Sequence, residues 1–250
     1  MPSTIQPDIA ANLAQVELRI GEACARAGRR RDEITLVAVT KMRSAEQIRA
    51  AYRCGLRHFG ENRIEEAETK VPELRTGFAD DPATWHMVGH VQSRKAKRAA
   101  AFADVIHSVD SLRLARRLDR FAAQMGKRLP ILVEVNVSGE ASKYGYPAWD
   151  PTTVAAFVSQ AREFEALIHL QVLGLMTMAP IVADAELARP VFRQLVCVRD
   201  ALRDQAPFSA WSELSMGMTD DFEVAIEEGA TMVRIGRAIF GPRPHQEEDF

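Results

Sequence analysis

The sequence predicts a single (β/α)₈ barrel, an α/β TIM barrel, over residues 1–250, with an extra helix at its N-terminus. Short apolar runs alternate with longer stretches of helical period in about eight pairs, the number that closes such a barrel. Neither a G-x-G-x-x-G motif after the first strand nor a G-x-x-x-x-G-K-S/T motif occurs, and no linker or repeat divides the chain. The alternation alone also fits an open doubly wound sheet, but the missing nucleotide-binding motifs favour the closed barrel.

The elements follow in order from the hydrophobic pattern. Apolar residues at helical spacing, at positions 9, 13, 16 and 20, predict the leading helix. Apolar runs predict the strands, at residues 34–41, 58–60, 85–89, 105–109, 131–137, 170–176, 214–218 and 232–235. Stretches of helical period predict the helices between them, at residues 44–54, 64–74, 93–102, 111–125, 151–164, 185–206 and 220–228. Near-continuous apolar strands in this order imply a parallel sheet covered by helices.

Composition and charge argue against several classes of protein. The chain is 47% apolar and 26% charged, which is ordinary for a globular protein with one substantial core. A net charge of -2 gives no basic footprint for nucleic acid, and no apolar stretch approaches the roughly 20 residues that cross a bilayer. Residues 1–11 lack the pattern of a signal peptide, and none of the three cysteines sits in a C-x-x-C pair. We therefore expect a soluble, cytoplasmic monomer that binds neither nucleic acid nor membrane.

Lys41 is the leading candidate for chemistry. It follows the first predicted strand, and in a barrel the functional side chains lie at the C-terminal ends of the strands. Desolvation at such a position makes a lysine amine nucleophilic. The alternative is a lysine at a helix start that extends its ammonium group to water.

The loops after the seventh and eighth predicted strands suggest a phosphate site. Loops at these two positions of a barrel often bind phosphate through free backbone N–H groups and small residues. Each loop alone also fits an ordinary turn with a cap. The candidate residues are Ser215, Gly217, Met218, Thr219, Gly236 and Arg237.

A nucleophilic lysine and a phosphate site in the same barrel mouth suggest pyridoxal 5'-phosphate (PLP), held as a Schiff base on Lys41. Arg234, at the end of the eighth strand, would then approach the ring nitrogen. An arginine there disfavours protonation of the pyridine and weakens the ring as an electron sink. An ion pair of Arg234 with a neighbouring carboxylate is the alternative.

Several sequence blocks resemble the pyridoxal-phosphate homeostasis proteins, a family that looks like the N-terminal barrel of alanine racemase standing alone. The blocks occur in order and are spread from about residue 34 to 241. They are Val39-Thr40-Lys41, Phe59-Gly60-Glu61-Asn62, Trp85-His86 with Gly89 and Gln92, Asn136-Val137-Ser138-Gly139-Glu140 with Ser142-Lys143 and Gly145, Gly174-Leu175-Met176, Leu214-Ser215-Met216-Gly217-Met218 with Asp220, and Val233-Arg234-Ile235-Gly236 with Ile239-Phe240-Gly241.

The resemblance implies a role for each candidate. Lys41 would bind the PLP aldehyde, Asn62 would lie beside the cofactor, and Arg234 would face the ring nitrogen. The phosphate cradle would consist of Ser215, Gly217, Met218, Thr219, Gly236 and Arg237. The chain departs from the family at Arg94, where asparagine is common, and at Arg237, where many relatives have a small hydroxyl residue.

The expected function is intracellular PLP (vitamin B6) homeostasis, as a carrier or buffer that supplies PLP-dependent apo-enzymes. Alanine racemase-like catalysis needs a second base, a tyrosine from a second domain, and no such domain follows the barrel in this sequence. Tyr52, in the first helix after Lys41, and Tyr144 and Tyr146, after the fifth strand, do not obviously replace it. A stand-alone PLP-dependent racemase remains the first alternative.

A second alternative is an interaction module whose basic residues 94–98 dock a protein or RNA, although such a cluster is usually a solvated helix face. No metal site is expected, because His86 and His90 span a strand and a turn.

Overall fold

The structure, a computed structural model, describes residues 8–242. In this range eight parallel strands form a closed barrel with helices on its outside, which confirms the predicted (β/α)₈ fold. The ends of the predicted domain, residues 1–7 and 243–250, lie outside the described residues, so the assignment of the whole chain to one domain stays a prediction. The strands are β1 (Thr35–Val39), β2 (His58–Glu61), β3 (Thr84–Met87), β4 (Val105–Val109), β5 (Leu129–Asn136), β6 (Tyr146–Pro147), β7 (Leu170–Met176), β8 (Glu213–Ser215) and β9 (Met232–Ile235).

Each strand of the barrel pairs in parallel with the barrel strand that follows it in the chain, including β4 with β5. The last strand, β9, pairs in parallel with β1 and so closes the ring. The helices lie between these strands. They are α1 (Ile9–Arg26), α2 (Ala45–Arg53), α3 (Ile64–Gly77), α4 (Ala96–Phe102), α5 (Leu112–Gln124), α6 (Pro151–Ala161), α7 (Arg189–Gln205), α8 (Phe222–Glu227) and α9 (Arg237–Phe240).

Helix α1 is the predicted extra helix. Its four apolar residues at helical spacing, Ile9, Leu13, Val16 and Ile20, are all buried. The helix packs against α8 and α9, and the side chain of Asn12 donates a hydrogen bond to the Ile239 carbonyl over 3.0 Å. The N-terminal helix therefore covers the side of the barrel where the last two strands meet the first.

The predictions missed two short elements and some helix ends. Strand β6, paired with β5, has two residues, one of them a proline, and α9 has four, so neither is long enough to show a period. The helices predicted over residues 93–102 and 185–206 begin with 3₁₀ turns at Ser93–Lys95 and Ala185–Ala188. The helix predicted over residues 151–164 ends in one at Arg162–Ala166. Tightened ends of this kind are common in helices and leave little trace in the hydrophobic pattern.

The barrel interior changes character along its axis. Val105, Leu132, Met176 and Met232 form a separate buried apolar cluster inside the barrel. Because side chains alternate across a strand, residues two positions further along face the same interior. On β4, β5 and β9 these residues are His107, Glu134 and Arg234, all of them buried. The interior therefore becomes polar and ionisable towards the C-terminal ends of the strands.

Gly174 in β7 allows β7 and β8 to approach closely. The pairing of β7 with β5 shifts register immediately before it, and a Cβ at this position would lie 1.9 Å from the Glu213 carbonyl oxygen of β8. The Gly174→Ala variant must therefore push the two strands apart. We expect its free energy of unfolding to fall by about 3 kcal/mol in urea titrations.

The matched control is Gly21→Ala in α1, where an added Cβ meets nothing within 4 Å. A helix-interior alanine should raise the stability there by up to about 1 kcal/mol. Equal effects of the two substitutions would contradict the close approach of β7 and β8.

Candidate functional site

Lys41 lies in a tight turn directly after β1, at the C-terminal edge of the barrel. The residue before it, Thr40, is fully buried, whereas Lys41 itself is half-buried. Met42 has a φ of 58°, in the left-handed region that non-glycine residues rarely adopt. The turn thus holds an unfavourable backbone conformation immediately beside the predicted nucleophile, and surrounding contacts must maintain it.

A cluster of charged side chains from α3 and β2 stabilises this turn. The Lys70 ammonium in α3 donates to the Thr40 carbonyl over 2.7 Å and contacts the carboxylates of Glu61 and Glu66 over 2.8 and 2.7 Å. Glu66 in turn accepts a hydrogen bond from the Met42 amide over 2.6 Å, and the Thr40 hydroxyl donates to Glu61. The backbone on both sides of Lys41 is therefore fixed by one set of opposite charges. Burial raises the pKa of Glu61, and the Lys70 ammonium opposes that rise.

Sequence reasoning placed Glu61 in the loop beside Asn62 but missed Lys70 and Glu66. A signal was available, since Lys70 falls on the face of α3 that carries the buried Ala67, Val71 and Leu74. A lysine on an apolar helix face needs a partner, and Glu66 is four residues away on that helix.

The loops after β8 and β9 lie side by side. The Arg234 amide donates to the Gly217 carbonyl over 3.0 Å, and the Arg237 guanidinium pairs with Asp220. Gly217 has a φ of 88°, and a Cβ on it would lie 2.6 Å from that of Ala225 in α8. Only glycine fits this position, because both its backbone conformation and the space around it exclude a side chain.

Gly236 brings the second of these loops against the strand that carries Lys41. It is the N-cap of α9, and a Cβ at Gly236 would be 3.1 Å from the carbonyl oxygen of Val39, the last residue of β1. The first amides of a helix have no acceptor within the helix, so those of α9 suit an anion. The lysine turn and the two glycine loops therefore form one continuous rim.

The remaining residues of the predicted phosphate cradle differ in whether their polar groups are available to bind an anion. The Met218 amide is already bonded to Asp221 Oδ1 over 2.6 Å. Thr219 is half-buried in the same turn. The Arg237 side chain is 61% exposed and paired with a carboxylate, so it extends away from the barrel interior. Their role in phosphate binding stays a prediction.

Arg234 and Ser215 lie inside the barrel rather than at its rim. The Arg234 guanidinium donates to the Ser215 hydroxyl over 2.6 Å and to the Thr177 carbonyl over 2.8 Å. Ser215 Oγ also contacts His107 Nδ1 at 2.9 Å. Burial lowers the pKa of Arg234 to about 10, opposed by the charges of Asp221 and Glu134, so the group remains a cation at neutral pH. Within residues 8–242 its hydrogen-bond acceptors are a hydroxyl and a carbonyl, not the carboxylate of the alternative reading.

Glu134 is a second ionisable group inside the barrel that sequence reasoning missed. It is 3% exposed, and Oε2 has no hydrogen-bond partner among the described residues. Burial and the nearby Asp110 raise the pKa of Glu134 to about 7, while Arg234 opposes that rise. A glutamate within an apolar strand shows nothing of this in the sequence, because the direction of its side chain depends on the closure of the barrel.

Asn62 is half-buried in the loop after β2. This loop touches the loop after β3, because a Cβ on Gly89 would lie 2.2 Å from the Asn62 carbonyl oxygen. Asn62 therefore belongs to the same edge of the barrel as Lys41, but the structure does not test its contact with a ligand.

The basic residues 94–98 were the alternative interaction site. In the basic stretch, Lys95 pairs with Glu65 over 2.7 Å, and Arg98 pairs with Glu65 and Glu68, so their charge is largely compensated. The described residues contain no group of three histidine, cysteine or acidic side chains arranged to hold a metal ion. Within residues 8–242, no helix combines the length and the apolar character that crossing a membrane requires.

Comparison with known proteins agrees with this geometry. The sequence model of the alanine racemase N-terminal domain matches residues 12–244. The pyridoxal phosphate homeostasis protein of Pseudomonas aeruginosa is 41% identical over 95% of this chain and 96% of its own length. That of Aquifex aeolicus is 40% identical over 93% and 97%. The chain belongs to the pyridoxal phosphate homeostasis protein family.

A solved structure of this family has the same fold. PipY of Synechococcus elongatus, determined without PLP, is 36% identical and superposes with a TM-score of 0.81 over 94% of this chain and all of PipY. PipY with PLP bound superposes with a TM-score of 0.76 over the same share. The resemblance inferred from the sequence blocks is therefore confirmed.

The cluster beneath Lys41 yields a stability prediction. The Lys70→Met variant leaves the Glu61 carboxylate buried without its cation. We expect the free energy of unfolding to fall by about 3 kcal/mol near neutral pH. The measurement is urea unfolding, with Lys97→Met, which removes an exposed lysine of α4, as the control. A loss no larger than that of the control would show that the cluster does not hold the turn.

Glu134 yields a prediction about pH. Its pKa of about 7 in the folded protein lies above the ordinary value of 4.5, so the folded state binds this proton more tightly than the unfolded state. Stability is therefore lost as the pH rises from 4.5 towards 7. The Glu134→Gln variant should avoid that loss and exceed the wild-type stability by about 2 to 3 kcal/mol at a pH near 8.

At a pH near 4.5 the two proteins should be almost equally stable. Urea unfolding of the cofactor-free protein across this range measures the difference, with Glu22→Gln on the exposed face of α1 as the control. A gain that does not depend on pH would contradict the raised pKa.

Proposed function

We propose that this chain binds PLP covalently through Lys41 and serves PLP homeostasis as a carrier or buffer with little turnover. The observation that carries the proposal is the contact between Gly236 and Val39, because it brings an anion-binding loop against the strand that delivers Lys41. Membership of the pyridoxal phosphate homeostasis family supports it, as does the structure of PipY with PLP bound.

The residues present fit such a ligand. Bound PLP would supply an aldehyde to the Lys41 amine and a phosphate to the amides of the two glycine loops. The Arg234 cation inside the barrel would disfavour a proton on the pyridine nitrogen. Gly217 and Gly236 let the two loops approach α8 and β1 closely, where a side chain would collide or be crowded.

The tyrosines favour a carrier over a racemase. Tyr52 donates to the Asp81 carbonyl over 2.8 Å and stacks on Phe78, at the outer layer of helices. Tyr146 is buried beside Phe157, and burial raises its pKa further above the ordinary value. Tyr144 is 54% exposed and stacks on His90, with 3.9 Å between ring centroids. A carrier needs no second base, whereas racemisation requires one opposite the lysine.

On this proposal the recipients are PLP-dependent apo-enzymes, and the protein acts as a cytoplasmic monomer. Transfer from the loaded protein to an apo-enzyme should be measured against free PLP at the same concentration. If enzyme activity recovers no faster than with free PLP, and if a PLP scavenger inhibits both recoveries equally, the protein is a buffer rather than a donor.

Borohydride reduction tests the covalent link. The reduced protein should carry PLP on Lys41 in peptide mass spectra, and Lys41→Ala should abolish this adduct. The control is Lys97→Ala, an exposed lysine of α4 that should keep it. An adduct on any other lysine would refute the assignment of Lys41.

Arg234→Ala and Ser215→Ala should weaken PLP retention by about tenfold or more, because the first removes the cation expected to face the ring nitrogen and the second removes a hydrogen bond that holds this cation. Equilibrium dialysis gives the dissociation constants, and circular dichroism shows whether the barrel remains folded. Unchanged retention in both variants would show that the polar interior does not serve the ligand.

The racemase alternative has its own test. Loaded protein incubated with single enantiomers of several amino acids should leave their optical rotation unchanged. Sustained racemisation at enzyme-like rates, abolished by Tyr144→Phe, would replace the carrier function by catalysis.

A further inference from the structure

Three histidines form a continuous chain through the barrel interior. His58 Nδ1 lies 3.0 Å from His86 Nε2, and His86 Nδ1 lies 2.8 Å from His107 Nε2. His107 Nδ1 then lies 2.9 Å from Ser215 Oγ, which accepts a hydrogen bond from Arg234. The chain starts at the first residue of β2 and ends at the last residue of β8, so it runs from the N-terminal towards the C-terminal side of the barrel.

All three imidazoles are neutral at physiological pH. Burial lowers the pKa of His58, and burial together with His58 lowers that of His86 to about 3. Burial, then His86 and the Arg234 cation, lower the pKa of His107 well below its usual value. A neutral imidazole has one donor nitrogen and one acceptor nitrogen. Each contact must join a donor to an acceptor, so the three rings share one tautomer.

The contacts of the Ser215 hydroxyl indicate which tautomer this is. A guanidinium has only N–H donors, so Ser215 Oγ must act as the acceptor towards Arg234. Within residues 8–242 the Ser215 hydroxyl contacts only Arg234 and His107. Among the described residues His107 Nδ1 is the one group in hydrogen-bond contact with Ser215 Oγ that can accept its proton, so we assign that proton to this contact, which places the proton of each histidine on Nε2.

We propose that His107, backed by His86 and His58, is a positioning residue that orients the Ser215 hydroxyl and thereby fixes Arg234 beneath the cofactor site. The inference rests on the proposed function for the identity of the ligand. It gives Ser215 a different task from the phosphate contact expected from the sequence, because its hydroxyl proton is directed into the barrel. The hydrogen-bond contacts of His107 are with His86 and Ser215, so it acts through Ser215.

The tautomers test the proposal without any ligand. In cofactor-free protein labelled with ¹⁵N-histidine, NMR should show the imidazoles of His58, His86 and His107 protonated on Nε2, with through-space contacts that link each ring to the next. Addition of PLP should leave this tautomer unchanged. Protonation on Nδ1, before or after PLP is added, would overturn the proposal, because the Ser215 hydroxyl would then be free to donate elsewhere.

A double-mutant cycle tests the route through Ser215. His107→Phe removes the acceptor and should weaken PLP retention by roughly tenfold. Ser215→Ala should weaken it to a similar extent, and the double variant should be no weaker than either single one. His107→Gln, whose amide oxygen can accept the same proton, should restore much of the retention. Additive losses, or no rescue by glutamine, would show that His107 serves packing alone.

Two controls separate this proposal from the function itself. His169 does not belong to the histidine chain, and its side chain is 40% exposed. The His169→Phe variant should therefore leave PLP retention unchanged. The borohydride adduct on Lys41 reports the function separately. If the wild type forms no adduct but its histidines are protonated on Nε2, PLP binding is refuted and the tautomer assignment stands. If the adduct forms but the histidines are protonated on Nδ1, only the positioning role is refuted. Should His107→Phe fail to fold, the NMR result on the wild type still decides.

Discussion

The buried guanidinium of Arg234 is the constraint to which the rest of the barrel interior responds. A cation enclosed by eight strands must be stabilised by groups inside the ring, since water cannot solvate it there. Ser215 and the Thr177 carbonyl provide hydrogen-bond acceptors, while Glu134 and Asp221 provide opposite charge. The same cation lowers the pKa of His107 and so helps to keep the imidazole chain neutral. An aliphatic barrel core would need none of these side chains.

Lys41 depends on a second, separate set of charges. The cluster of Lys70, Glu61 and Glu66 fixes the backbone before and after Lys41. The turn is strained, because Met42 adopts a left-handed backbone conformation. Gly236 then approaches the end of β1 closely enough to bring an anion site to the lysine. Two polar clusters, one beneath the lysine and one inside the barrel, thus hold a single rim.

Much of the site was predictable because its residues fall at strand ends. A strand ends where its apolar run ends, so Lys41, Asn62 and Gly236 could be placed on one edge of the barrel from the pattern alone. The glycines at 217 and 236 were recognisable as turn residues, although not as close-contact positions. Lys70 had a local signal in Glu66, but its contact with Thr40 joins residues 30 positions apart. Glu134 and the histidine chain were not predictable, since they depend on partners 20 or more positions away or on the direction of one side chain inside the ring.

The sequence by itself determined the barrel, its leading helix, the order of its strands and the family, because alternating apolar runs and ordered motifs are local properties of the chain. Only the tertiary structure decided which polar residues contact one another inside the barrel and which remain exposed. Closure of the ring brings Ser215 against Arg234 and His107, and it leaves Arg237 exposed. The reason is geometric: a strand's period fixes which residues face inward, but the contacts they make depend on the strands opposite and beside them.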